Sequence, residues 1–162
     1  MRRERRVGGG LSGSCLSLKR RRRRAYTPPV SEPIFKKIDC YSLPVTDLEE
    51  ALAFYRDALG HELVWRSSNA AGLRLPNDDA ELVLQQERPG AETDLLVDSV
   101  PLAVERFVEA GGRLLRGPFE IQIGECAVVS DPFGNVLVLL DMSKGKLVTD
   151  SSGKITGNEP VA

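Results

Sequence analysis

The chain has 162 residues, 41% of them hydrophobic and 28% charged, which is room for one domain of ordinary size with the composition of a folded protein rather than a disordered one. No apolar run reaches the roughly 18–20 residues that a bilayer crossing needs, and no secretory-type apolar stretch stands near the N-terminus, so the sequence predicts a cytoplasmic protein with no membrane partner. The formal charge of −1 conceals two opposed blocks: residues 1–24 hold ten of the 22 basic side chains and one of the 23 acidic ones, leaving 12 basic against 22 acidic beyond them.

Residues 1–33 mix Arg runs, Gly, Ser and Pro with almost nothing to bury, and the composition predicts disorder there. Three readings of this basic extension stay open. The Lys19–Arg24 run suits phosphate, as a nuclear address or a nucleic-acid contact. The segment also has the Arg- and Ser-rich, acid-poor character of an organelle-targeting peptide. Finally, no Met falls between Met1 and Met142, and Val30 sits where regular sequence begins, as expected if a gene start were assigned too far upstream. Apart from this run, nothing in the chain points to nucleic acid.

From Phe35 the pattern becomes regular. Lys37–Leu43 alternates as a strand, and Asp47 then opens a helix as N-cap, with Glu50 in the capping-box position. Leu48, Ala51, Leu52, Tyr55 and Leu59 recur at helical spacing, and Gly60 stops the helix. Glu62–Arg66, Ala71–Leu75 and Glu81–Glu87 are short strands separated by turn residues. The order is βαβββ, and the second half repeats it: strand Thr93–Val97, a helix that Ser99 caps and that runs through Ala110 to a stop at Gly111-Gly112, strands Arg113–Arg116 and Ile121–Ser130, a turn at Asp131-Pro132-Phe133-Gly134-Asn135, and strand Val136–Asp141. A shift of 52 positions aligns Val45 with Val97, Leu48 with Val100, Leu52 with Val104, Tyr55 with Phe107 and Gly60 with Gly112, the mark of a duplicated unit. One helix covers one face of each module's sheet, so two modules can turn their bare faces together and enclose a pocket. The expected fold class is therefore α+β, with modules at about 37–87 and 93–141 inside a domain spanning 35–143. Residues 144–162 are expected as a tail or a hairpin.

Val45-Thr46-Asp47-Leu48, Ala51–Asp57 with Leu59-Gly60, and the later Ala110-Gly111-Gly112 and Asp131–Asn135 together resemble the vicinal oxygen chelate superfamily, the glyoxalase and bleomycin-resistance fold of paired βαβββ modules. That fold hosts lyases, isomerases, ring-cleaving dioxygenases and non-catalytic drug binders, and the resemblance alone does not choose among them. In its metal-using members, ligands come from the first and last strands of each module. Carried over residue by residue, those positions are Cys40, Val83, Glu92 and Val138, with Asp94 in place of Glu92 if the alignment shifts. Valine cannot ligate, which leaves Cys40 and Glu92 as weak metal candidates without an imidazole, His61 being the chain's only histidine. With these ligands missing, the resemblance implies a metal-independent small-molecule binding protein with no cofactor, sequestering a drug or metabolite, and leaves the enzyme question open. The alternative is a metal-dependent lyase, isomerase or dioxygenase of the same fold. It also implies a homodimer.

Strand alternation supplies the remaining ligand candidates. If Leu82 and Leu84 pack under the first helix, Glu81, Val83, Gln85 and Glu87 face the cup; if Leu137 and Leu139 pack under the second, Val136, Val138 and Leu140 do. Cys40 and Ser42 share the cup face of the first strand, and Leu96 that of the fifth. Trp65 and Arg74 are placed near the mouth. Each has a plainer reading: Cys40 and Cys126 as small buried hydrophobes, His61 as an exposed turn residue, Trp65 as core, Gln85 on a solvated face, Arg74 paired with a carboxylate.

Overall fold

The computed structural model describes Glu32–Val161. The readings of the basic extension before Glu32 lie outside the described residues.

The first module consists of β1 (Lys37–Pro44), α1 (Leu48–Leu52), β2 (Leu63–Arg66), β3 (Ala70–Arg74) and β4 (Glu81–Gln85). The second consists of β5 (Glu92–Leu96), α2 (Val100–Glu109), β6 (Arg113–Glu120), β7 (Glu125–Ser130) and β8 (Val136–Leu140). All eight strands form one mixed sheet in the order β2-β3-β4-β1-β5-β8-β7-β6, the modules meeting where β1 runs antiparallel to β5. Within each module the first strand runs parallel to the last, β1 with β4 and β5 with β8. The duplication reaches single hydrogen bonds. Val45 N–H donates to the Gln85 carbonyl and Val97 N–H to the Leu140 carbonyl, each at 2.9 Å.

Each helix covers its own core. Leu48 and Leu52 pack on Ala71, Leu73 and Leu84, while Val100, Ala103, Val104 and Phe107 pack on Ala127, Val129 and Leu139. Because side chains alternate along a strand, burying Leu84 and Leu139 under helices turns Val83 and Val138 to the opposite face. The sheet's inner face is thereby left to form a cup.

Local chemistry explains the helix ends, with two departures from the sequence expectation. Asp47 accepts the Glu50 N–H at 2.9 Å as an N-cap should. From Ala53 to Ala58, however, α1 continues as a wider π-helical stretch, in which Leu59 N–H reaches back five residues to the Phe54 carbonyl. Ser99 occupies the cap position of α2 without a side-chain bond to the helix. Its role is taken by Asp141, whose Oδ2 accepts the Val100 N–H.

Beyond β8 the chain forms a two-stranded hairpin, β9 (Lys146–Thr149) with β10 (Ile155–Glu159). It is attached to the edge of the first module, where Arg66 N–H donates to the Gly153 carbonyl at 2.8 Å. Asn158 Nδ2 also donates to the Gln122 carbonyl at 2.6 Å. Among the described residues, no helix is long and apolar enough to cross a membrane.

Candidate functional site

The inner face of the sheet encloses a cavity of about 690 Å³, within the usual range for a small-molecule site. Its floor comes from β1, β4, β5 and β8 through Cys40, Ser42, Val83, Asp94 and Leu140. A register shift in β1 between Ile38 and Cys40 brings Asp39 to the same cavity as Cys40. The far wall includes Leu147, Thr149 and Ile155 of the hairpin together with Ile121–Ile123.

The expected site residues divide into three groups. Cys40, Ser42, Trp65, Val83 and Gln85 line the cavity. Glu92 and Val138 do not reach its wall: Val138 is buried beside Asp94, its register partner, and Glu92 Oε2 lies 2.5 Å from Arg88 Nε. Arg74 is placed elsewhere, which corrects its position near the mouth. It is exposed, donates to Glu62 Oε2 at 2.8 Å, and borders a separate depression with Leu75, Pro76, Asn77 and Asp78. Strand parity would put Arg74 on the cup side, opposite Glu81, but its long side chain at the end of β3 is drawn outward by the Glu62 carboxylate. His61 is half-buried with Nδ1 3.3 Å from the Arg74 carbonyl, away from the cup.

Gln85 lines the cavity, but its amide is consumed locally. Oε1 accepts the N–H groups of Glu87 and Arg88 at 2.8 and 2.7 Å, and Nε2 donates to the Arg88 carbonyl at 2.9 Å. At 2% exposure it pins the turn after β4, and both its amide oxygen and one amide N–H are spent there. Trp65 is likewise oriented, its indole N–H donating to Glu81 Oε2 at 2.6 Å. Gly72 opposite it makes this possible, since a Cβ there would overlap the indole.

On the floor, Asp94 carries the buried acceptor that is left without a partner among the described residues. It projects from the centre of the sheet, paired to Cys40 on one side and Val138 on the other, and is 8% exposed. Its Oδ1 is buried with no hydrogen-bond partner among the described residues. Burial pushes its carboxyl up to about 6. Burial also raises the Asp39 and Glu81 carboxyls on the same cavity. It drives the Cys40 thiol far up, and Cys126 up to about 12, so neither thiol is a ready nucleophile or ligand at neutral pH. The sequence signal for Asp94 is the alternation that puts Leu96 on the cup face, because Asp94 stands two residues earlier on the same strand.

A model of the Glyoxalase/Bleomycin resistance protein/Dioxygenase superfamily matches residues 37–139. The chain belongs to this superfamily. No curated protein sequence matches it. Among solved structures it is similar to methylmalonyl-CoA epimerase from Mycobacterium tuberculosis, at 18% identity and a TM-score of 0.60 over 71% of this chain and 93% of that one. A hypothetical protein of Bacillus halodurans C-125 is alike at 17% identity and 0.58, over 70% and 98%. These two likenesses speak for the fold alone. A variant of homoprotocatechuate 2,3-dioxygenase from B. fuscum is 28% identical with a TM-score of 0.52 over 70% of this chain, which spans about a third (34%) of the dioxygenase's length.

The fold family implies a metal, and the residues present do not fit one. Two of the four family ligand positions are Val83 and Val138, the Cys40 thiol is held protonated by burial, and Glu92 is engaged by Arg88. Among the described residues no three His, Cys, Asp or Glu side chains come together in a metal-binding group.

Proposed function

We propose that this member of the superfamily is a metal-independent small-molecule binding protein, sequestering a drug or metabolite in the cup. The observation that carries this reading is the chemistry of the floor, where Val83 stands at a ligand position and Asp94 is a buried carboxylate, with Val138 at a second ligand position buried beside Asp94, in a cavity large enough for a compact organic molecule. A homodimer is the assembly that the family likeness supports.

The dioxygenase likeness favours an enzyme of the same fold as the second reading, and its metal chemistry would need donors that this floor lacks. Thermal-shift measurements on the full chain separate the two. Stabilisation by organic ligands with chelator present supports the binding reading, because a ligand that binds only the folded state raises the melting temperature. Stabilisation by a divalent metal, lost on Cys40→Ala and matched by no organic compound, overturns it.

A further inference from the structure

We propose that the ligand of this cup is an organic monocation, an ammonium or amidinium head on an apolar body, whose N–H groups are received by Asp94. This rests on the reading of the cup as a ligand site and names the chemistry that the site selects.

The first observation is the unanswered acceptor. Asp94 lines the cavity, is more than nine-tenths buried, and has an Oδ1 without a partner among the described residues. An ionised carboxylate only accepts, and leaving it unpaired in a low-dielectric site is costly. The surrounding protein groups answer it only weakly: Val138 and Leu140 are apolar, and the Cys40 thiol, whose hydrogen bond works against burial at this carboxyl, is a weak donor. Arg88 is the cation whose field reaches Asp94. Its guanidinium is drawn instead to Glu92 at 2.5 Å and Glu87 at 4.0 Å.

A second observation is the balance of charge around the same space. Of the ionisable Asp, Glu, Lys and Arg side chains that line the cavity, five are acidic and three basic. An anionic ligand would enter against this excess, whereas a cation relieves the buried carboxylates that already resist ionisation. The apolar body is called for by the rest of the wall, where Val83 and Leu140 on the floor face Leu147 and Ile155 of the hairpin. A bidentate amidinium or a primary ammonium matches a carboxylate at the base of an apolar cup, because a charge-assisted hydrogen bond is about twice as strong as a neutral one.

The test is an NMR titration of the full chain at pH 7.5 with benzylamine, benzamidine, benzyl alcohol and benzoate, repeated on Asp94→Asn. The expected result is that the two cations bind at least tenfold more tightly than benzyl alcohol, that shifts centre on Asp94 and Trp65, and that Asp94→Asn abolishes the ratio. If benzyl alcohol or benzoate binds as tightly as the cations, the cation inference fails while the cup remains a ligand site. If none of the four binds and a divalent metal does, the binding reading itself fails. Should Asp94→Asn not fold, the cation-to-alcohol ratio on the unaltered chain decides alone.

Discussion

Asp141, the residue after β8, caps α2 from across the module: its Oδ2 accepts the Val100 backbone N–H at 2.9 Å. Its Oδ1 meanwhile gathers the N–H groups of Glu125 and Ser143 and the Ser143 hydroxyl, at 3.0, 3.1 and 2.7 Å. One carboxylate at 2% exposure thus ties the second helix, the start of β7 and the exit of β8 together. Burial is the largest influence on it and pushes its pKa up, but the bonds from Val100, Ser143 and Glu125 together hold it below the ordinary range.

Asp141→Ala should therefore cost about 3 kcal/mol in urea unfolding, since several buried donors lose a charged acceptor together. With its folded pKa depressed, the wild-type contribution is fully present above the ordinary aspartate value of about 3.9 and is lost as pH falls through the lower folded value. The wild-type and Asp141→Ala stabilities should converge in strong acid.

Much of this fold is legible in the sequence because it rests on local rules. The 52-residue repeat, the Asp47 cap and the alternation that buries Leu84 and Leu139 while turning Val83 and Val138 inward are all properties of neighbours along the chain. What alternation cannot reveal is which partner claims a side chain. The cap of α2 comes from 41 residues away, at Asp141 rather than Ser99. Gln85 faces the cup yet spends its amide on its own turn, and Arg74 follows Glu62 outward. Asp94 is decided by strand register, in which one step exchanges the two faces of the sheet. The hairpin of 146–159 carries no family signature, and its place against Arg66 is a tertiary fact.

Gly72 and Trp65 give a spectroscopic handle on the cup. Trp65 is the chain's only tryptophan, and its indole lies over Gly72 while bonding Glu81 at 2.6 Å. Gly72→Ala should push the ring off Glu81, shift the emission maximum to the red and cost about 1–3 kcal/mol, as overpacking does. An unchanged emission maximum would mean that the indole does not rest on Gly72.

The hairpin should come loose without the modules. Gly145 has φ +97°, and a Cβ there would overlap the Glu159 carbonyl, so Gly145→Ala meets both backbone strain and a clash. Amide hydrogen exchange across Lys146–Glu159 should quicken at least tenfold, while β1 and β8 keep their protection. Equal loss in all strands would mean that the hairpin is integral to the global fold.

Burial keeps the thiols silent. Cys40 and Cys126 are both free and buried, and with Cys126 raised to about 12 and Cys40 driven further up, little thiolate exists at pH 8. In a Cys15→Ser background, a disulfide reagent should label neither until the protein is unfolded, at least about 10³-fold more slowly than a free thiol of ordinary pKa. Rapid stoichiometric labelling of Cys40 in the folded protein would instead support a nucleophilic role.

Asp94 should give stability the opposite pH slope to Asp141. The groups around it are Asp39 and Cys40 from β1, Cys126 from β7, and Arg88 and Glu92 beside it, and burial outweighs their combined effect to raise its carboxyl to about 6. A raised folded value means that the folded state binds the proton more tightly than the unfolded one, so this carboxyl penalises folding at pH 7 and the penalty fades as pH falls from about 6 to about 4. Asp94→Asn should remove that penalty, which is about 3 kcal/mol for a rise from the ordinary value to about 6. Its stabilising effect should be visible at pH 7.5 and absent near pH 4. A bound cation would act in the same direction as the substitution, drawing the wild-type carboxyl back toward its ordinary value. Benzamidine should therefore raise the melting temperature of the wild type at pH 7.5 far more than at pH 4.5, and should leave Asp94→Asn nearly unmoved at both.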